Sequence, residues 1–172
     1  MKLLALPGRK PSTLEPTRRL LAALGLDEGA IRPHGFWSAP DVTDPDIAGD
    51  VEAVAASGAD LVIAKSIGAL IVMAAWRDHG FAPRACLFLG TPLKRLEALG
   101  LVPLLQAFAV ATPTLFIQQA ADFNGAYADL ARWVGSAART AEIPGDDHRY
   151  EDIDVILPFA AAWLDPWREG LA

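Results

Sequence analysis

The stretch Leu61-Val62-Ile63-Ala64-Lys65-Ser66-Ile67-Gly68-Ala69-Leu70-Ile71-Val72-Met73 joins two apolar runs with almost nothing between them. Leu61, Val62 and Ile63 are continuously apolar and β-favouring, as in a strand covered on both faces. The run from Gly68 reaches His79 at helical length, and Gly80 stops it. A strand that passes directly into a helix needs a very tight turn. The residues two before and two after Ser66 are Ala64 and Gly68, small enough to permit it, and Ser66 then stands at the head of the helix. The same serine would also serve as an ordinary cap of that helix.

Outward from this segment the pattern repeats. Lys2 to Leu6 reads as a short buried strand stopped by Pro7 and Gly8, followed by a helix from about Thr13 to Leu24 with Leu14, Leu20, Leu21 and Leu24 on one face. Ile31 to Phe36 reads as a second strand, which Pro33 restricts to a sheet edge. Asp44-Pro45 reads as the capped start of a helix whose apolar face is Ile47, Val51 and Val54. Downstream come strand Ala85 to Leu89, a helix near Leu96 to Phe108, strand Leu115 to Gln118, helix Ala126 to Val134, strand Arg139 to Ile143 and a closing helix from Asp152 to Leu164. Apolar strands alternating with helices predict an α/β fold: a doubly wound, mostly parallel sheet of about six strands with helices on both faces, in one domain over residues 1–172. Ligands bind such sheets outside the carboxyl ends of the strands, so the loops beginning at Pro7, Ser66, Gly90, Gln119 and Pro144 are where chemistry is expected.

Composition narrows the classes further. The 172 residues are 52% hydrophobic and 21% charged, which excludes disorder and requires a core. A chain of this size can bury about 70% of its extended surface without staples. The uncharged stretch from Ala98 to Ala121 contains Pro103, Pro113, Gln106, Gln118 and Gln119 and reads as helix and buried strand, not as a membrane span. The short apolar start before Pro7 leaves no room for a signal peptide, so a cytoplasmic location is expected. One cysteine, Cys86, excludes an internal disulfide and a Cys-rich zinc site, and its apolar strand setting implies inert packing. A net charge of −6 without a basic stripe argues against nucleic-acid and anionic-membrane partners.

Three histidines are available as bases. His34 sits in the expected edge strand and His79 at a helix end, settings that suit structural or solvated roles. His148, in Pro144-Gly145-Asp146-Asp147-His148 between the last strand and the last helix, lies where the fold places ligands. Asp122 follows the strand Leu115 to Gln118 by a few residues, although it would equally suit a surface turn before Phe123-Asn124-Gly125. Ser66, Asp122 and His148 thus fall in that chain order at the carboxyl ends of three strands.

On these points the sequence resembles the α/β-hydrolase superfamily, in particular its small, lidless serine hydrolases, over Lys2 to about Trp163. The matched features are the loop Leu6-Pro7-Gly8-Arg9, the nucleophile elbow at Ser66, the acid loop at Asp122, and His148 before the final helix. The resemblance implies a carboxylesterase-like serine esterase whose catalytic triad is Ser66 as nucleophile, His148 as base and acid, and Asp122 orienting the imidazole. It implies an oxyanion hole made by the backbone N–H groups of Ile67 and Arg9. The expected partner is a small-molecule acyl ester, thioester or amide, with no metal or organic cofactor. Three departures stand out: Ala64 where glycine is commoner, Pro7-Gly8 where many members have His-Gly, and no pair of antiparallel strands at the start.

A hydrolase-fold protein that binds without catalysing is the alternative. A flavodoxin-like nucleotide or flavin binder is disfavoured because no glycine-rich phosphate loop follows any strand. Arg9 and Lys65 flank the expected site and could draw an anionic acyl group, although solvated side chains are the ordinary expectation. Trp37 suits either a pocket wall or a cover for the sheet edge. The segment Thr91 to Pro113 is long enough for one or two short helices and leaves no residues for a lid.

Overall fold

The computed structural model describes residues 1–38 and 44–170. Five strands, β1 (Leu3–Leu6), β2 (Leu61–Lys65), β3 (Ala85–Leu89), β4 (Thr114–Gln119) and β5 (Arg139–Ile143), form one parallel sheet in the order β1-β2-β3-β4-β5. The register is continuous: Leu61 lies between Leu3 and Ala85, and Ile117 between Leu89 and Ala141. The helices are α1 (Leu14–Ala23), α2 (Ala48–Ala55), α3 (Ile67–His79), α4 (Leu93–Ala98), α5 (Val102–Ala111), α6 (Tyr127–Val134) and α7 (Ile153–Leu164).

The strands alternate between two cores. Leu4, Leu6, Val62, Ala64, Cys86, Phe88 and Phe116 face α2 through α6, whereas Ala5, Leu61, Ile63, Leu87, Leu89 and Ile117 face α1 and α7. Both faces are covered, so β2, β3 and β4 are buried at every position. The Cys86 thiol is fully buried, which pushes its pKa up, and it has no access to reagents.

Three expectations need correction. The expected strand from Ile31 to Phe36 is reduced to one bridge between Ile31 and Ala5, with Arg32 N–H donating to the Ala5 carbonyl at 2.9 Å. The next rung would need an N–H from Pro7, which has none, and Gly35–Ser38 curls into a 3₁₀ turn, so the sheet has five strands and not six. The helix expected at Asp44-Pro45 begins at Ala48, where Asp46 Oδ1 accepts from Ala48 N–H, and Asp44 instead pairs with Arg95 at 2.7 Å. The helix expected over Leu96 to Phe108 is two, α4 and α5, separated at Gly100, whose φ of 67° ends the first.

The bridge at Ile31 matters for the site. From β1 the chain crosses by α1 on one face to the far side of β1, then returns by α2 on the other face to β2. Winding therefore reverses at β1, and the loops leaving β1 and β2 diverge to opposite faces. That divergence opens a crevice at their carboxyl ends.

Candidate active site

Ser66 occupies the turn between β2 and α3 with φ 52° and ψ −114°. Such a conformation costs a non-glycine residue about 1–3 kcal/mol and persists only when its surroundings enforce it. Here the enforcement comes from both sides. Ser66 N–H completes the β2–β3 ladder by donating to the Leu89 carbonyl at 2.9 Å, and α3 is pressed against β1. A methyl group on Gly68 would stand 2.9 Å from Leu6 Cβ and 3.1 Å from the Leu6 and Pro7 carbonyl oxygens, so only glycine allows that approach.

His148 meets this serine from the loop after β5. Its Nε2 lies 2.9 Å from Ser66 Oγ, and its Nδ1 lies 2.7 Å and 2.9 Å from the two carboxylate oxygens of Asp122. A carboxylate only accepts, so the Nδ1 proton belongs to the imidazole and Nε2 is left to accept from the serine hydroxyl. Asp122 is buried, and its remaining acceptor capacity is filled by Tyr150 O–H at 2.7 Å, Asn124 N–H at 2.8 Å and Gln118 Nε2 at 3.3 Å. Surrounded by donors, the Asp122 carboxylate is fixed in place beneath the ring. Asp146 and Asp147 do not perform this role. Asp147 accepts instead from Gln119 Nε2 and Arg149 N–H, which holds its carboxyl below the ordinary range.

The loop carrying His148 is held by residues that the sequence reading passed over. Gln119 Oε1 accepts from His148 N–H at 2.8 Å, and Gln119 N–H donates to Tyr150 Oη, also at 2.8 Å. His148 and Tyr150 both adopt φ 57°, a left-handed conformation that these bonds enforce. Tyr150 lies against Gly90, where a Cβ would collide with the ring. Burial, followed by the nearby Asp122 charge, raises the Tyr150 pKa far above its ordinary value, so it remains a donor. Gln118 Nε2 reaches the Thr91 and Gly125 carbonyls as well as Asp122. Two amides ending a buried strand were the available signal, since buried amides are costly unless bonded.

The Pro7-Gly8-Arg9 loop is held in the same manner. His34 Nε2–H donates to the Pro7 carbonyl and Trp37 Nε1–H to the Arg9 carbonyl, both at 2.8 Å. His34 is buried against Phe36, not solvated, and its pKa is lowered by that burial. Its Nδ1 is 3.4 Å from Asp50 Oδ1 without hydrogen-bond alignment. Ile67 and Arg9, the two expected oxyanion donors, both line the cleft beside Ser66. The Ile67 N–H lies in the first turn of α3, where no intrahelical acceptor exists.

Lys65 departs most from expectation. It is 7% exposed, with Nζ donating to the His148 carbonyl at 3.1 Å and standing 5.8 Å from the centre of the Tyr150 ring. Burial lowers its pKa to about 8, against the opposing pull of Asp122, Glu151 and Asp147.

These groups open on a cleft of about 580 Å³, whose walls include Ser66, His148, Lys65, Phe123 and Arg149. Among the described residues no cluster of His, Cys, Asp or Glu suits a metal ion, and no helix is long and apolar enough to cross a membrane.

No family model, curated protein or solved structure matches this chain.

Proposed function

We propose that this protein is a minimal α/β-hydrolase acting as a serine hydrolase on small acyl esters, thioesters or amides through an acyl-enzyme. The observation that carries the reading is the continuous chain Ser66 Oγ, His148 Nε2, His148 Nδ1, Asp122, with each link under 3 Å and the serine held on a strained turn at the crevice. In this reading Ser66 Oγ bonds to the substrate carbonyl carbon while its proton passes to His148 Nε2, and Asp122 stabilises the imidazolium that results. The carbonyl oxygen becomes an oxyanion facing the N–H groups of Ile67 and Arg9, each such donor being worth about 3–4 kcal/mol in related chemistry. The His148 proton then goes to the departing alcohol, thiol or amine as its bond to the carbonyl breaks. Water attacks the acyl-enzyme, gives its proton to His148 and releases the acid, and Ser66 recovers its hydrogen.

Fluorophosphonate labelling followed by peptide mapping tests this. Ser66 should carry the label, Ser66→Ala should carry none, and hydrolysis by that variant should fall by about 10⁴-fold or more. Labelling at Ser57 or Ser136, or none in folded protein, overturns the proposal and favours a binding role.

A further inference from the structure

The charge around the cleft has the opposite sign to the molecule. The chain carries −6 overall, yet Arg9, Lys10, Lys65, Arg95 and Arg149 line the opening against only Asp147 and Glu151. Arg95 is paired with Asp44 and Arg149 lies 3.9 Å from Asp147, which leaves Lys65 and Lys10 on the wall that runs on to Thr13.

Lys65 is the centre of that wall. It forms no salt bridge among the described residues, although Asp122, Glu151 and Asp147 are near enough to act on its charge, and the Asp122 oxygens are taken by other donors. Its ammonium has three protons, and the hydrogen bond to the His148 carbonyl uses one. Nζ sits under the Pro7-Gly8-Arg9 loop, 3.4 Å from where a side chain on Gly8 would begin, and the hydroxyl residues Ser12 and Thr13 continue the same wall. A buried ammonium with unused donors, held on the carbonyl of His148 at the wall of the cleft, is an incomplete ion pair.

Building on the hydrolase reading, we propose that the acyl substrate carries a fixed negative charge a few carbons from its reacting carbonyl, and that Lys65, with Lys10 at the rim, binds it. The anion completes the ion pair and so orients the acyl chain while the carbonyl lies over Ser66. The specificity is for a half-ester, half-thioester or half-amide of a short dicarboxylic acid, or for an acyl group bearing another compact anion such as a phosphate.

The test compares mono-p-nitrophenyl glutarate with its methyl-capped ester, two substrates that differ in charge and scarcely in shape. The expected result is a kcat/KM about tenfold or more higher for the anionic substrate. Lys65→Met should reduce that ratio to about one, whatever its effect on the rate with the capped ester, and Lys10→Gln should reduce it partially. Should Lys65→Met fail to fold, as judged by near-ultraviolet circular dichroism, Lys10→Gln and competition by free glutarate or inorganic phosphate decide the matter on folded protein. Stronger competition by glutarate supports a carboxylate and stronger competition by phosphate supports a phosphate. Competition by neither overturns the inference. Equal rates for both esters also overturn it and leave the hydrolase reading intact. If neither ester is cleaved, the hydrolase reading falls, and calorimetric titration of the wild-type protein with glutarate and with phosphate then decides the anion site. Binding of either that is weakened in Lys10→Gln supports the site, and no binding at millimolar concentration overturns it.

Discussion

Replacing Lys65 by methionine should make the protein more stable. Methionine has a similar length and adapts to irregular apolar space, so the change removes a charge without leaving a large void. In the fold the Lys65 pKa falls from 10.5 to about 8. At about 1.4 kcal/mol per pH unit, holding the ammonium charged in the folded protein at neutral pH costs about 3 kcal/mol. The variant also loses the hydrogen bond to the His148 carbonyl, worth about 1 kcal/mol. The balance is a gain of about 2 kcal/mol, or roughly 4–8 °C in Tm for a chain of this length. The pH dependence follows from the direction of the shift. Because the folded pKa lies below the unfolded one, the unfolded chain holds more protons between these values, and wild-type stability rises with pH across that window. By about pH 9.5 roughly 2 kcal/mol of the cost is relieved and the two proteins should converge. Urea unfolding of both, followed by tryptophan fluorescence at neutral pH and near pH 9.5, measures the difference directly. A variant less stable than wild type at neutral pH, or a gap that does not change with pH, would refute the reasoning and make Lys65 a net contributor to the fold.

Two further outcomes follow from the site. Asp122→Asn should lower kcat by about 10⁴-fold with the fold intact, because an amide beneath the ring no longer secures the Nδ1 proton, whereas Asp147→Asn should change kcat by less than about threefold; steady-state kinetics with circular dichroism checks both, and the reverse ranking would assign the orienting acid to Asp147. In a series of p-nitrophenyl esters, kcat/KM should level off at short acyl chains and show no jump at micelle formation. The reason is that, among the described residues, the cleft's apolar wall is Ile67, Pro92 and Phe123, too little to bury successive methylenes at about 0.8 kcal/mol each.

Much of this architecture is legible in the sequence because the sheet is covered on both faces. Ala85–Leu89 and Arg139–Ile143 have the bounds that their composition predicts, and the tight turn at Ser66 follows from Ala64 and Gly68. Where the reading failed, a single backbone group or side chain decided against the pattern. Ile31 to Phe36 has the residues of a strand, but Pro7, just past β1, withholds the N–H that a second rung needs. Asp44 has the residue type of a cap, yet its carboxylate is taken by Arg95, 51 positions away. Side-chain destinations of this kind depend on which elements become neighbours, and no local pattern encodes them.

Lys65, Gln118 and Gln119 belong to that same group, but they carried a signal that local reading could have used. Each stands at the carboxyl end of a fully buried, mostly apolar strand. A buried polar group is costly unless it is bonded, and an apolar residue there would serve the sheet as well or better. Polar residues at those three positions therefore point to a requirement outside the sheet. The two glutamines are engaged within the protein, Gln118 Nε2 on Asp122 and Gln119 Oε1 on the backbone of His148, although Gln118 Oε1 has no partner among the described residues. Lys65 spends one proton on the carbonyl of His148 and keeps its charge over the cleft. Of the three, it is the one that carries a charge, and among the described residues that charge has no salt bridge, which a substrate anion would supply.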